Sequence, residues 1–193
     1  APVNLSLGEP QHPTPDFLKR ALTDNLGGLS RYPLTKGLPE LREAVAAWLA
    51  RRHGLAALDP ETQVLPTMGS REALFAVIQA LVDPAEHDAL VVCPNPFYQI
   101  YEGATLLAGA RPYFVNALVS RDFAPDWDHV PENVWKRARA LFVCSPNNPN
   151  GRVTTLAEWE KLFDLAHAHD FTIVSDECYG EIHFDEANPP LGA

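Results

Sequence analysis

The sequence predicts an α/β fold, a three-layer sandwich around a mostly parallel sheet. Two observations predict it. Beyond about residue 60, short apolar runs alternate with longer segments of helical period. Strands that alternate with helices pair in parallel, and the helices cover both faces. Polar motifs also begin directly where apolar runs stop, which places them on the carboxyl rim, where such sheets bind ligands.

The elements follow in order. Val3 to Pro10 reads as extended, ending in a turn. Pro15 to Leu26 and Pro39 to His53 read as helices, with Arg31 to Gly37 an irregular polar loop between them. Gln63–Thr67 reads as a short strand and Ser70 to Leu81 as a helix with Ser70 as its N-cap. Ala89–Cys93 reads as a strand, Phe97 to Leu107 as a helix and Arg111–Val115 as a strand. Ser120 to Asn133, rich in Asp and Pro, reads as a surface excursion. Ala140–Cys144 and Phe171–Ser175 are strands flanking a helix from Thr155 to His169. Thr155 and Glu158 form a capping-box pattern, and Leu156, Trp159, Leu162, Phe163 and Ala166 make its core-facing stripe.

Composition narrows the function. The 193 residues, 46% hydrophobic and 21% charged, suit a globular protein. A formal net charge of −10 argues against nonspecific nucleic-acid binding. No apolar run is long enough to span a bilayer, so a membrane partner is not expected. The three cysteines, Cys93, Cys144 and Cys178, lack CxxC spacing and read as reduced, buried thiols of a cytoplasmic protein. No metal-ligand spacing occurs, and no GxGxxG follows a strand.

The motifs that carry chemistry are Ser145-Pro146-Asn147-Asn148-Pro149-Asn150-Gly151 and Asp176-Glu177-Cys178-Tyr179, each directly after an apolar strand. An Asn and a Tyr can donate to a phenolate oxygen while an Asp holds a ring nitrogen protonated. Pyridoxal 5′-phosphate (PLP) calls for that set. A third motif, Met68-Gly69-Ser70-Arg71-Glu72-Ala73-Leu74, joins a strand to a helix, whose free first-turn N–H groups suit a phosphate. Together the motifs resemble the fold-type I PLP-dependent aminotransferases of class I/II, and the similarity runs from Leu5 to Gly192.

The resemblance implies a role for each matching residue. Ser70 and the Arg71 backbone N–H would hold the PLP phosphate. Tyr98, in Pro94-Asn95-Pro96-Phe97-Tyr98-Gln99-Ile100-Tyr101, would stack on the pyridine ring, with Phe97 and Tyr101 packing in the helix. Asn148 and Tyr179 would share the O3′ oxygen, and Asp176 would face the ring nitrogen. Tyr32 would reach the phosphate of a partner subunit, which implies a homodimer. Gly8 and Asn148 would line the substrate pocket. The resemblance divides the chain into an amino-terminal arm with helices (1–55) and a PLP-binding large domain (56–193) incomplete at its carboxyl end.

Within the family, Leu65 to Phe75 and Cys93 to Gly109 look most like bacterial N-succinyldiaminopimelate aminotransferases. The activity implied is ping-pong transamination between N-succinyl-2,6-diaminopimelate and the 2-oxoglutarate/glutamate pair, in lysine biosynthesis. The chain departs from the family pattern in one respect. Lys19, Lys36, Lys136 and Lys161 are its only lysines, and none stands in the family's Ser-x-x-Lys setting. The expectation is an amino-terminal fragment, truncated before the Schiff-base lysine and inactive alone. Alternatives are another class I/II aminotransferase, a carbon–sulfur lyase, a non-catalytic PLP-sensing domain of a regulator, and a doubly wound binding domain without PLP.

Overall fold

Alternation along the strands sets the layers. A computed structural model describes residues 12–193. Gly8 and the Val3 to Pro10 segment lie outside the described residues. Strand β1 (Leu90–Asn95) sends Val91 and Cys93 to one face and Leu90 and Val92 to the other. Helices α3 (Ser70–Leu81) and α4 (Ile100–Leu107) cover the first face through Leu74, Ile78, Tyr101 and Ala104. Helices α5 (Glu132–Trp135) and α6 (Leu156–His169) cover the second through Val134, Trp135, Trp159 and Leu162. With β2 (Arg111–Leu118), β3 (Ala124–Pro125), β4 (Ala138–Cys144) and β5 (Thr172–Asp176), the sheet order is β3-β2-β1-β4-β5. All pairings are parallel except that of β2 with β3.

This order has a consequence for ligand binding. The chain leaves β1 toward β2 on one side, then returns to β4 on the other, so the switch point lies between β1 and β4. Loops diverge there and leave a crevice beyond the carboxyl ends. Asn95, Cys144 and Asp176 end β1, β4 and β5, and Cys144 and Asp176 are register partners. Among the described residues, β5 is one edge of the sheet.

Helix α6 starts as its sequence requires. Thr155 Oγ1 accepts from the Glu158 N–H at 3.4 Å, and Glu158 Oε2 accepts from the Thr155 N–H at 2.9 Å. Burial works to raise the Glu158 carboxyl. The bonds from the Thr155 backbone and hydroxyl, with Arg152, outweigh it and hold the group below its ordinary 4.5. A depressed carboxylate stabilises the fold fully above its unfolded pKa and loses that effect as pH falls through the folded value. Glu158→Gln is therefore expected to flatten the acid limb of a stability-versus-pH curve below about pH 4.5. Chemical denaturation at stepped pH checks this, and an unchanged limb would count against it.

Four sequence expectations need correction. Gln63–Thr67 forms no strand. Pro66 has no N–H for a ladder, and its ring packs on Gly37 (φ 73), where an added Cβ would come within 3.0 Å of it. Ser120 to Asn133 is not merely a surface excursion. It contains β3 and a 3-10 turn, Trp127–His129, that sinks Trp127 and Val130 into the core. Asp126, paired with Arg121 at 2.9 Å and His129 at 2.8 Å, holds that turn. The buried stripe of α6 is narrower than its apolar pattern, for Leu156 and Phe163 are exposed while Trp159 and Leu162 are buried. The N-cap of α3 is Gly69, and Ser70 is the first helical residue.

The amino-terminal helices are α1 (Asp16–Asp24) and α2 (Pro39–His53), joined through a 3-10 turn at Leu26–Ser30. α1 buries none of its residues, and Phe17, Leu22 and Leu29 stand exposed. Arg52 of α2 ties this part to the segment after β5, donating to Glu181 Oε1 at 2.6 Å and to the Pro190 carbonyl at 3.2 Å. Among the described residues, no helix is long and apolar enough to cross a membrane.

Candidate active site

Asp176 is the centre of the rim. It is polar yet only 7% exposed, because the apolar run of β5 ends on it and α4 covers it. The Tyr101 hydroxyl donates to its Oδ2 at 2.7 Å. Burial, with Cys144 and Asp176 close by, pushes the Tyr101 phenol up, so it remains a donor at neutral pH. The Tyr101 ring in turn stacks on Phe142, with centroids 4.2 Å apart. The other oxygen, Oδ1, accepts a long bond from the Cys178 N–H at 3.3 Å, which leaves acceptor capacity for a further donor.

The neighbours converge from three loops. Cys178 lies beside both Asp176 and the Ser70 hydroxyl, so the first turn of α3 abuts the end of β5. That turn has no side-chain cap, and Gly69 sits at φ 126. Its free N–H groups make an anion cradle, and a Cβ on Gly69 would strain the backbone and press on Glu72 Oε2 at 3.0 Å. Arg71 Nε donates to the Tyr98 hydroxyl at 2.8 Å, which ties the α3 turn to the loop after β1. Tyr179 is half-buried; burial pushes its phenol up, with Cys144, Cys178, Asp176 and Tyr98 all nearby. The backbone of Asn148 reaches the Cys144 thiol from the loop after β4.

The structure thus brings Ser70, Arg71, Tyr98, Asn148, Asp176 and Tyr179 to one rim. Tyr32 is not among them: it is 96% exposed, on the loop before α2. Gly8 lies outside the described residues. Sequence reading gave Tyr101 only a packing role and missed its bond to Asp176. The available signal was its place three residues after Tyr98, in the first turn of α4, since a buried phenol needs a partner.

The cysteines also need correction, because Cys178 is exposed while Cys93 and Cys144 are buried. Burial raises Cys93 to about 12 and Cys144 to about 11. A thiol reagent at pH 8 is expected to label Cys178 in the folded protein and the other two only after unfolding. Peptide mapping checks this, and labelling of Cys144 before Cys178 would contradict the packing.

Comparison with known proteins now decides the family. The profile described as Aminotransferase class I and II matches residues 1–191. The chain belongs to that family. LL-diaminopimelate aminotransferases of Gloeobacter violaceus and Nitratidesulfovibrio vulgaris are 35% and 38% identical to it over 190 residues. Each match covers 97% of this chain and 48% of the relative. Among solved structures, an aminotransferase from Neisseria meningitidis Z2491 aligns with a TM-score of 0.92 at 52% identity, covering 98% of this chain and 48% of that one. A Thermus thermophilus aspartate aminotransferase aligns at 0.85 and 36% identity, covering 94% and 46%. The chain spans about half the length of the curated relatives it matches. The four lysines of this chain pair on the surface with Asp16, Glu61, Glu132 and Asp128.

Proposed function

We propose that this chain is the amino-terminal half of a PLP-dependent aminotransferase, and that its rim residues hold the cofactor. The observation that carries the reading is the buried Asp176 carboxylate, held on one side by Tyr101 and open on the other, beside an uncapped helix N-terminus. An acid and an anion cradle side by side suit a ligand that has a protonated ring nitrogen and a phosphate. The residues present fit PLP on both counts.

Each side chain has a part. The Ser70 hydroxyl and Arg71 N–H bind the phosphate at the α3 terminus. Tyr98, held by the Arg71 guanidinium, offers its ring face to the pyridine. Asp176 keeps the ring nitrogen protonated, and Tyr101 fixes the rotamer of Asp176. Asn148 and Tyr179 donate to the O3′ oxygen and so favour its phenolate form. When bound, PLP supplies an electron sink for the substrate carbanion. Asn148 would also line the substrate side, a place that the family resemblance gives to Gly8 as well, which lies outside the described residues. The exposed Tyr32 would reach the cofactor phosphate of a second subunit in a homodimer.

The substrate proposed is N-succinyl-2,6-diaminopimelate, with the 2-oxoglutarate/glutamate pair, in lysine biosynthesis. The relatives named LL-diaminopimelate aminotransferases support the diaminopimelate skeleton. The test is to assay the full-length protein with 2-oxoglutarate against N-succinyl-diaminopimelate, LL-diaminopimelate, aspartate and an aromatic amino acid. Preference for the first supports the proposal, and preference for the free LL form keeps the skeleton but removes the succinyl group. Turnover confined to the last two overturns the substrate. A visible absorbance band acquired with PLP tests the cofactor separately.

A further inference from the structure

We infer that Arg152 is a positioning residue for the Asn148 amide, acting through the loop that it closes; the inference rests on the cofactor reading above. The loop after β4 is stitched at its base. The Asn147 N–H donates to the Arg152 carbonyl at 2.8 Å, and the Gly151 N–H donates to the Asn147 carbonyl at 2.7 Å. The Arg152 N–H donates to Asn150 Oδ1 at 3.0 Å. The Thr154 N–H donates to the buried Ser145 hydroxyl at 3.0 Å, which joins the exit of the loop to its entrance. Asn148 is carried at the top of this closed turn.

Backbone bonds close the turn but do not aim it, and the Arg152 side chain supplies that constraint. Its Nη2 spans both Glu158 oxygens, at 2.9 and 3.0 Å. Both side chains are about four-fifths buried, so the pair is little screened by solvent. Glu158 is itself fixed by Thr155 in the capping box, and α6 is fixed by Trp159 and Leu162 in the core. Arg152 therefore couples the loop to the first turn of a helix that cannot slide. A cavity of about 20 Å³ beside the pair is lined by Asn147, Arg152, Thr154 and Glu158, with Phe123 and Trp127 opposite. Asn147 Oδ1 and Arg152 Nε are both buried there without a protein partner. The space suits one water that accepts from Arg152 and donates to Asn147, a second tie across the loop.

A lysine at this position keeps the charge and can meet the carboxylate, but it lacks the separate Nε–H that Arg152 aims into the cavity toward Asn147. Three variants of the full-length protein test the inference: Arg152→Ala, Arg152→Lys and Glu158→Gln. In the cofactor-free state, Arg152→Ala is expected to speed hydrogen exchange at the Asn147 and Gly151 amides about tenfold, with the other two in between. PLP is expected to bind about tenfold more weakly to Arg152→Ala, the effect of losing one good hydrogen bond. Because an ill-placed Asn148 no longer favours the phenolate, the pH midpoint of the bound cofactor's visible absorbance is expected to rise. Arg152→Ala combined with Asn148→Ala should bind no more weakly than Asn148→Ala alone. Wild-type exchange in Arg152→Ala, or penalties that add in the double variant, overturns the inference. If the unmodified full-length protein takes up no PLP, the cofactor reading fails instead, and the exchange rates still decide whether Arg152 holds the loop.

Discussion

Replacing Asp176 by Asn in the full-length protein is expected to lower transamination by roughly 10²–10³-fold, the scale of removing one preorganised electrostatic partner. The substitution keeps the size and planarity of the side chain, and its amide oxygen can still accept from Tyr101. The fold should therefore survive, with an unchanged circular dichroism spectrum. What would be lost is the negative charge proposed to face the cofactor's ring nitrogen and keep it protonated. Turnover equal to that of the unmodified protein would remove Asp176 from this role.

The second large effect is on stability. Phe142→Ala is expected to cost about 3–5 kcal/mol, the range for truncating a buried Phe. Phe142 is fully buried in the middle of β4 and is stacked on Tyr101. Such a cost is a large fraction of the roughly 5–15 kcal/mol that holds a domain folded. The cavity also frees the ring that orients the phenol, so Asp176 loses its support together with the core. Urea unfolding followed by fluorescence measures it, and a loss below about 1 kcal/mol would show that the site collapses without penalty.

The fold class was legible because the buried parallel strands leave unbroken apolar runs, as in Ala140–Cys144, and a capping box marks α6. The motif residues were legible because Asp176 ends a strand and Asn148 and Tyr98 closely follow strand ends, and topology then places strand ends together. What stayed hidden depends on tertiary pairing. Gln63–Thr67 looks like a strand by propensity, but a strand exists only where a ladder partner accepts it. Trp127 and Val130 were masked by the Asp and Pro around them, although two apolar anchors suffice to seat an irregular turn. The Tyr101 bond to Asp176 joins residues far apart in sequence, so the local pattern can mark a phenol in need of a partner but not name Asp176 as that partner.

Strand β5 combines two properties that conflict. It delivers the acid to the rim, and as the margin of the sheet it leaves a row of backbone donors and acceptors that no strand among the described residues engages. Such a row is a template for a foreign strand. In a concentrated sample of these 193 residues alone, cross-chain zippering should start at Thr172–Asp176, so precipitation and loss of the Asp176 environment should rise together with protein concentration.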